Sequence, residues 1–179
     1  MLERPVYLRI PTENEEPLFQ RHSCAEVIIG AVMKAEQTGW MQLHGFVVLP
    51  ETLELVVTPL KVGVSALVGY LESETIPHLS ILLPGTSLIW NRYFMRTPLD
   101  TQRALDARLK ILLLSPVAHG LADTSDTYAY SSANPRYAGS TSTYTGFQNP
   151  DDGSPTSPME TQELLSASHD DPTAAQSES

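Results

Sequence analysis

The chain has 179 residues, 41% of them apolar, which is enough to bury one hydrophobic core. Its formal net charge is −10, but residues 1–122 carry ten basic against twelve acidic residues, whereas residues 123–179 carry one against nine. A first region so close to neutral lacks the charge of a strong general DNA-binding domain. There is no apolar run of membrane-spanning length and no signal peptide, so we expect a cytoplasmic protein with no membrane partner.

The first half of the chain predicts a strand, a helix and a pair of strands. Val6 to Pro11 alternates apolar and polar residues, which is typical of a half-buried strand. Apolar residues then recur at helical spacing from Leu18 to Thr38, and Gly39 is a suitable C-terminal cap. Met41 to Leu49 and Leu53 to Leu60 are rich in branched residues and flank a Pro-Glu-Thr turn, so they predict a hairpin.

The second half predicts a helix, a strand and a longer helix. Apolar residues at helical spacing indicate a short helix from Ser65 to about Glu74, and the aromatic stretch from Ser87 to Arg96 predicts a fourth strand. A third helix is expected to begin with Thr97 as its cap and Pro98 in its first position, and to end near Leu114. This order predicts an α+β domain with a ferredoxin-like, four-stranded antiparallel sheet and helices on one face.

Most of the acidic charge lies in the C-terminal part of the chain. We expect a domain over residues 1–132 and a disordered, acidic, Ser/Thr/Pro-rich tail over residues 133–179. From about Asn149 onward, the composition contains little that could form a core. Such a tail could compete with nucleic acid for a basic patch, or hold a protein partner.

Cysteine and histidine usage predicts no metal site. Cys24 is the only cysteine, which excludes an intramolecular disulfide, and it falls on the apolar side of the first predicted helix. The histidines show no ligand spacing and are predicted to be structural or solvated. They are His22, His44, His78, His119 and His169.

Residues 46–57, FVVLPETLELVV, form the first motif with a chemical meaning. Because side chains alternate along a strand, Thr52 and Glu54 share one face. Two imidazoles at this spacing could hold one divalent ion, whereas a threonine hydroxyl is a poor ligand and a single carboxylate is a weak site. Glu54 could still hold an ion loosely, or be a solvated charge near the start of the strand.

A second motif, ILLLSPVAHGL, occupies residues 111–121, and a Tyr-x-x-Ser-Ser segment follows at Tyr128 to Ser132. With the first motif, these segments resemble the REP-associated tyrosine transposases of bacteria, which belong to the HUH class of single-strand transposases. The resemblance covers about Pro5 to Ser132. In that family the strand reads roughly Tyr-Val-Val-Met-Pro-Asn-His-x-His-Leu-Leu-Val, and the helix reads Tyr-Ile-x-x-Asn-Pro-Val-x-x-Gly-Leu.

The resemblance implies a parent activity, the Mg- or Mn-dependent cleavage of hairpin-flanked single-stranded DNA through a phosphotyrosine link. It places the two family histidines at Thr52 and Glu54, the tyrosine nucleophile at Ile111 and the residue that helps to hold the metal at Ser115. Isoleucine has no nucleophilic atom, and covalent catalysis needs an activated one. We therefore expect a degenerate copy without a metal cofactor, which does not cleave and at most binds structured or single-stranded DNA weakly.

Charged and aromatic residues around the predicted fourth strand and third helix could form a modest platform for single-stranded DNA. They could equally be solvated charges and core aromatics. The candidates are Arg92, Arg96, Arg103, Arg108, Lys110, Trp90 and Tyr93. Two alternatives remain open: a protein-interaction module that uses the sheet face and the acidic tail, and an active nuclease with Tyr70 or Tyr93 as a relocated nucleophile and Glu54 as a partial metal ligand.

Overall fold

The computed structural model describes residues 3–147. The chain divides into two compact units, Met1–Gly146 and Phe147–Ser179. The first unit extends past Ser132, where the domain was predicted to end. The rest of the predicted tail, residues 148–179, lies outside the described residues. Within the described part, no helix is both long and apolar enough to cross a membrane.

The first unit contains the predicted elements in the predicted order. They are β1 Val6–Pro11, α1 His22–Gln37, β2 Met41–Leu49, β3 Thr52–Pro59, α2 Val64–Leu82, β4 Met95–Pro98 and α3 Gln102–Ala118, with short 3-10 turns between some of them. The strands form one antiparallel sheet in the order β2-β3-β1-β4. This is the ferredoxin-like order. The predicted α+β fold with a four-stranded antiparallel sheet is confirmed.

The fourth strand lies later in the chain than predicted. β4 begins at Met95, whereas the prediction was Ser87 to Arg96. The aromatic stretch before it is irregular, and Trp90 forms only an isolated bridge with Thr12. An aromatic composition suits a strand, but here Trp90 is buried outside the regular sheet and Tyr93 is exposed, so the composition did not locate the strand.

The start of α3 is also corrected. Pro98 is the last residue of β4 and pairs with Val6, so Thr97 does not cap the helix. The N-cap is Thr101, whose hydroxyl accepts a hydrogen bond from the Ala104 amide at 3.1 Å. That bond satisfies one of the free amides of the first turn, which is the role an N-cap threonine performs.

Two helices run further than predicted because they continue through a proline. α2 contains Pro77 and α3 contains Pro116. A proline removes one hydrogen bond from a helix and usually ends or kinks it. In α2, Leu79 follows the proline and is fully buried, so its packing holds the last turns in place.

The helices lie on both faces of the sheet, which corrects the expectation that they share one face. α1 and α2 form the main core with Leu53, Leu55 and Val57 of β3. α3 packs on the opposite face, where its side chains approach Gly45 of β2. All eight residues of β3 are consequently buried. Thr52 and every second residue after it lie on the α3 side of the sheet.

A substitution at Gly45 tests the packing of α3. A methyl group there would lie 2.9 Å from Leu109 Cδ2 and 3.2 Å from Leu112 Cδ2. Because both leucines must move, we expect Gly45→Ala to lower the free energy of unfolding by about 1–2 kcal/mol in urea denaturation. The control Gly30→Ala is exposed in α1 with nothing within 4 Å. It should raise the free energy by about 0.5–1 kcal/mol, and a fall of equal size in both variants would contradict the packing.

Candidate functional site

A row of side chains, one from each strand, crosses the face of the sheet that α3 covers. Val47 pairs with Glu54, Glu54 with Arg9, and Arg9 with Met95. Among the described residues, α3 packs mainly on β2 and β3. The half of this face over β1 and β4 is more open, since Arg9 is half-buried and Met95 is 59% exposed. We call this strip, formed by Glu54, Arg9 and Met95 beside α3, the shelf.

Glu54 is the buried acid of the shelf, at 9% exposure. Its Oε1 lies 3.8 Å from Arg9 Nε. Burial raises the pKa of the Glu54 carboxyl, and the charges of Arg9, His119 and Arg108 and the hydroxyl of Tyr7 act in the opposite direction. The carboxylate is thus surrounded by cations and donors from β1 and α3. We call these five residues the Glu54 cluster.

Arg9 is held from its other side by Glu15. Arg9 Nη2 donates to Glu15 Oε1 at 2.7 Å. Asn14 and Glu15 both have positive φ, 54° and 52°, which is uncommon for residues other than glycine. Backbone strain of this kind persists only where the surrounding contacts maintain it. The turn therefore directs the Glu15 carboxylate at Arg9, which bridges two acids.

Arg108 of α3 lies over the ring of Tyr7, with 4.4 Å from its Cζ to the ring centroid. Burial is the main cause, and the negative charge of Glu54 the second, that raises the pKa of the Tyr7 hydroxyl to about 12. Tyr7 is therefore protonated and unreactive at neutral pH. The guanidinium of Arg108 forms no hydrogen bond or ion pair with any residue from 3 to 147, so its donors are free for a ligand.

Ser115 and His119 lie one turn apart near the end of α3. His119 Nδ1 is 2.8 Å from the Ser115 carbonyl oxygen and 3.4 Å from its hydroxyl. The shorter contact assigns the proton to Nδ1, which donates to the carbonyl. Because that nitrogen is a donor, it cannot take a proton from the Ser115 hydroxyl. Ser115 is therefore not an activated nucleophile.

His119 is a residue whose position the sequence did not reveal. It was predicted to be structural or solvated, and the structure places it near the end of α3, where it bonds to Ser115 and interacts electrostatically with Glu54. Its spacing of one helical turn from Ser115 was the available signal. The spacing alone did not reveal which strand the pair faces.

The four positions that the resemblance assigns to chemistry have different environments. His119 contacts the Ser115 hydroxyl at 3.4 Å and acts electrostatically on Glu54. Thr52 is 1% exposed, and its hydroxyl donates to the Ile10 carbonyl at 3.2 Å. Ile111 is 58% exposed and faces solvent from α3. Thr52 and Glu54 therefore share the α3 side of the sheet, but the Thr52 hydroxyl is bonded to backbone, and Ile111 faces solvent.

Comparison with known proteins places this geometry in a known fold. A REP-associated tyrosine transposase, solved bound to a REP hairpin, matches this chain with a TM-score of 0.63 and 14% identity, over 87% of this chain and 93% of that one. The chain has a transposase-like fold. A candidate transposase from Deinococcus radiodurans R1 matches with a TM-score of 0.48 and 11% identity, over 62% of this chain and 90% of that one. No protein-family model and no curated protein matches the sequence.

Within this transposase-like fold, the donor set at the shelf does not fit a divalent cation. In residues 3–147, no three His, Cys, Asp or Glu side chains lie close enough together to hold a metal ion. Mg and Mn sites need several oxygen or imidazole donors. Here the Glu54 carboxylate lies 3.8 Å from Arg9 Nε and also interacts electrostatically with Arg108, and the positive charge of both arginines opposes a divalent ion.

Trp90 and Tyr93, the predicted stacking residues, occupy opposite environments. Trp90 is 8% exposed and packs against Phe19, with 5.0 Å between ring centroids. Its Nε1–H donates to Thr75 Oγ1 at 3.0 Å. A base cannot stack on this buried ring, so the prediction is wrong for Trp90. Tyr93 is 74% exposed and keeps a free ring surface.

The predicted basic platform is dispersed. Arg96 lies on β4 directly after Met95, so its side chain is on the opposite face of the sheet from the Glu54 cluster. Arg103 and Lys110 are on the solvent side of α3, and Arg92 is exposed in the segment before β4. Arg108 alone of the five joins the cluster. The transposase-like fold therefore offers a smaller cationic surface at the shelf than the sequence predicted.

The structure also limits the two alternative functions, which are a protein-interaction module and a nuclease with a relocated nucleophile. α1 and α2 cover one sheet face and α3 covers half of the other, so the shelf is the part of the predicted protein-binding face that stays open. Tyr70, a predicted relocated nucleophile, stacks on Trp40 with 4.3 Å between ring centroids on the α1 and α2 side. It lies across the sheet from Glu54.

The Tyr-x-x-Ser-Ser segment extends the sheet beside β2. The Tyr128 hydroxyl donates to the Val48 carbonyl at 2.7 Å, and the Ser132 amide donates to the Phe46 carbonyl at 2.9 Å. Burial raises the pKa of Tyr128 to about 12. These contacts cover an edge strand that would otherwise expose unpaired backbone groups, so this motif has a structural role.

Proposed function

We propose that this chain is a degenerate relative of the REP-associated tyrosine transposases, which binds structured or single-stranded DNA weakly and does not cleave it. The observation that carries the proposal is the pairing of Glu54 with Arg9. Glu54 is the one ionisable residue among the four positions that the resemblance assigns to chemistry, and its charge is compensated within the protein by Arg9. The hairpin bound by the similar transposase supports DNA as the class of ligand.

Each replacement removes a separate requirement of cleavage. The Thr52 hydroxyl is engaged with backbone, the Glu54 carboxylate with Arg9, and the Ile111 side chain has no nucleophilic atom. Covalent catalysis needs an activated nucleophile, and a divalent site needs several donors. We therefore propose that neither Mg nor Mn is held and that no phosphotyrosine link forms.

Weak binding follows from the arrangement of charge. Several basic residues are neutralised by ion pairs: Arg4 with Asp100, Lys34 with Glu74, and Arg136 with Glu26. Phosphate binding depends on lysine and arginine side chains that displace counterions. The remaining basic residues around the shelf are dispersed over different surfaces, so a near-neutral domain of this kind can contact only a small number of phosphates at once.

Incubation with labelled hairpin DNA tests the proposal directly. With Mg or Mn present, the full chain should give no covalent adduct on a denaturing gel, because no side chain at the shelf can attack a phosphate. Noncovalent binding at low salt should weaken with added salt, with a log–log slope of about −0.7 to −2.7, as expected for one to three phosphate contacts.

The possible results separate the functions under comparison. A covalent adduct would contradict the loss of cleavage and favour a relocated nucleophile. Absence of any binding at low salt would contradict the DNA-binding half and favour a protein partner. An active transposase of the same fold, treated in parallel, shows that the DNA and metal are competent.

A further inference from the structure

The guanidinium group of Arg108 is held in a fixed position but has no hydrogen-bond acceptor among the described residues. Its guanidinium has five N–H donors in a planar fork, and stacking on Tyr7 at 4.4 Å fixes the plane. None of these donors meets an acceptor within residues 3–147. A fork held in this way suits an oxyanion such as phosphate, because little side-chain freedom is lost on binding.

Arg9 places a second guanidinium on the same surface. Both arginines act electrostatically on Tyr7 and on Glu54, so they flank the same two side chains. Glu15 uses one edge of the Arg9 fork. Glu54 lies 3.8 Å from Arg9 Nε, so Nη1 is the Arg9 nitrogen without a partner among residues 3–147. On the same face of the sheet, Met95 continues the shelf toward β4 as an exposed apolar surface.

We infer that Arg108 and Arg9 form a metal-independent seat for one backbone phosphate of single-stranded DNA, with the adjoining sugar or base against Met95. The inference rests on the proposed DNA binding and assigns it a location. Glu54 has two opposing effects there. It orients Arg9, and its negative charge repels the phosphate and keeps the affinity low.

Single substitutions in the full chain test the seat on a short single-stranded oligonucleotide at low salt. We expect Arg108→Gln to weaken binding about fivefold and to reduce the magnitude of the salt slope by about 0.7, the value for one contact to a single strand. Lys110→Gln is the matched control, since it removes the same charge from the opposite, exposed side of α3. It should change affinity less than twofold.

Two further variants give results that a general charge effect would not. Arg108→Lys keeps the charge and loses the planar fork, so its affinity should lie between those of the wild type and Arg108→Gln. Glu54→Gln should strengthen binding about threefold, because the repelling charge is removed. Circular dichroism of each variant verifies that it is folded.

The results for this seat and for the proposed function can be told apart. Equal loss of affinity in Arg108→Gln and Lys110→Gln, with binding by the wild type retained, would overturn the seat and leave DNA binding intact. Unchanged or weaker binding by Glu54→Gln would also overturn it. A wild-type chain that binds neither the oligonucleotide nor the hairpin at low salt would overturn both.

Discussion

Replacing Trp90 with alanine is expected to lower the free energy of unfolding by about 3–5 kcal/mol. The ring is 8% exposed, packs against Phe19 and bonds to Thr75 through its indole nitrogen. Its removal leaves a cavity between α2 and the short 3-10 turn that contains Phe19. The favourable free energy of burying a large aromatic side chain is lost as well. Urea denaturation measures the change. DNA affinity, measured under conditions in which the variant is folded, should stay near that of the wild type.

Tyr93→Ala is the matched control for this prediction. Its ring is 74% exposed, so the free energy of unfolding should change by no more than about 0.5 kcal/mol. A Trp90→Ala protein of unchanged stability with clearly reduced DNA affinity would show that the indole is a ligand-binding group. That result would contradict its burial.

The contrast between β1 and β4 shows which parts of the fold were predictable. The limits of β1 and β2 were predicted correctly, because alternation is a local pattern that adjacent residues carry. The position of β4 was not, because the aromatic stretch that ends in Phe94 has the composition of a strand. Trp90 is placed by Phe19 and Thr75, which are distant in the chain. Tertiary contacts of this kind override local propensity.

The same division applies to the site. That Thr52 and Glu54 share a face follows from the two-residue period of a strand, and the structure confirms it. The partner of Glu54 could not be predicted, because Arg9 is opposite it only through the β1–β3 register. The contact of Arg9 with Glu15 further depends on a turn with positive φ at two non-glycine residues, which no sequence pattern indicated.

The Arg9–Glu54 pair should produce a stability difference that grows with pH. We expect Arg9→Gln to lower the free energy of unfolding by about 1–2 kcal/mol at pH 7, since it leaves a buried carboxylate without its nearest cation. The value is below that for a fully buried pair because Arg9 keeps 27% side-chain exposure. Urea denaturation of wild type and variant from pH 4 to pH 7.5 measures the difference.

The direction of the pH effect follows from the pKa of Glu54, which burial raises above its ordinary value. A carboxyl group with a raised folded-state pKa contributes stability that is fully present below its unfolded pKa, about 4.3, and is lost as the pH rises through its folded pKa. Arg9→Gln removes an opposing charge and raises that pKa further. The variant should therefore approach the wild type near pH 4 and diverge from it toward pH 7.

A double-mutant cycle separates the loss of the pair from the loss of arginine packing. In Glu54→Gln the buried charge is absent, so adding Arg9→Gln should cost less than it does in the wild type and should show little dependence on pH. An Arg9→Gln penalty that is equal in both backgrounds, or constant across the pH range, would mean that Arg9 acts through packing and through Glu15. In that case Glu54 would be an unpaired buried acid, and no charge from Arg9 would oppose a divalent ion at this position.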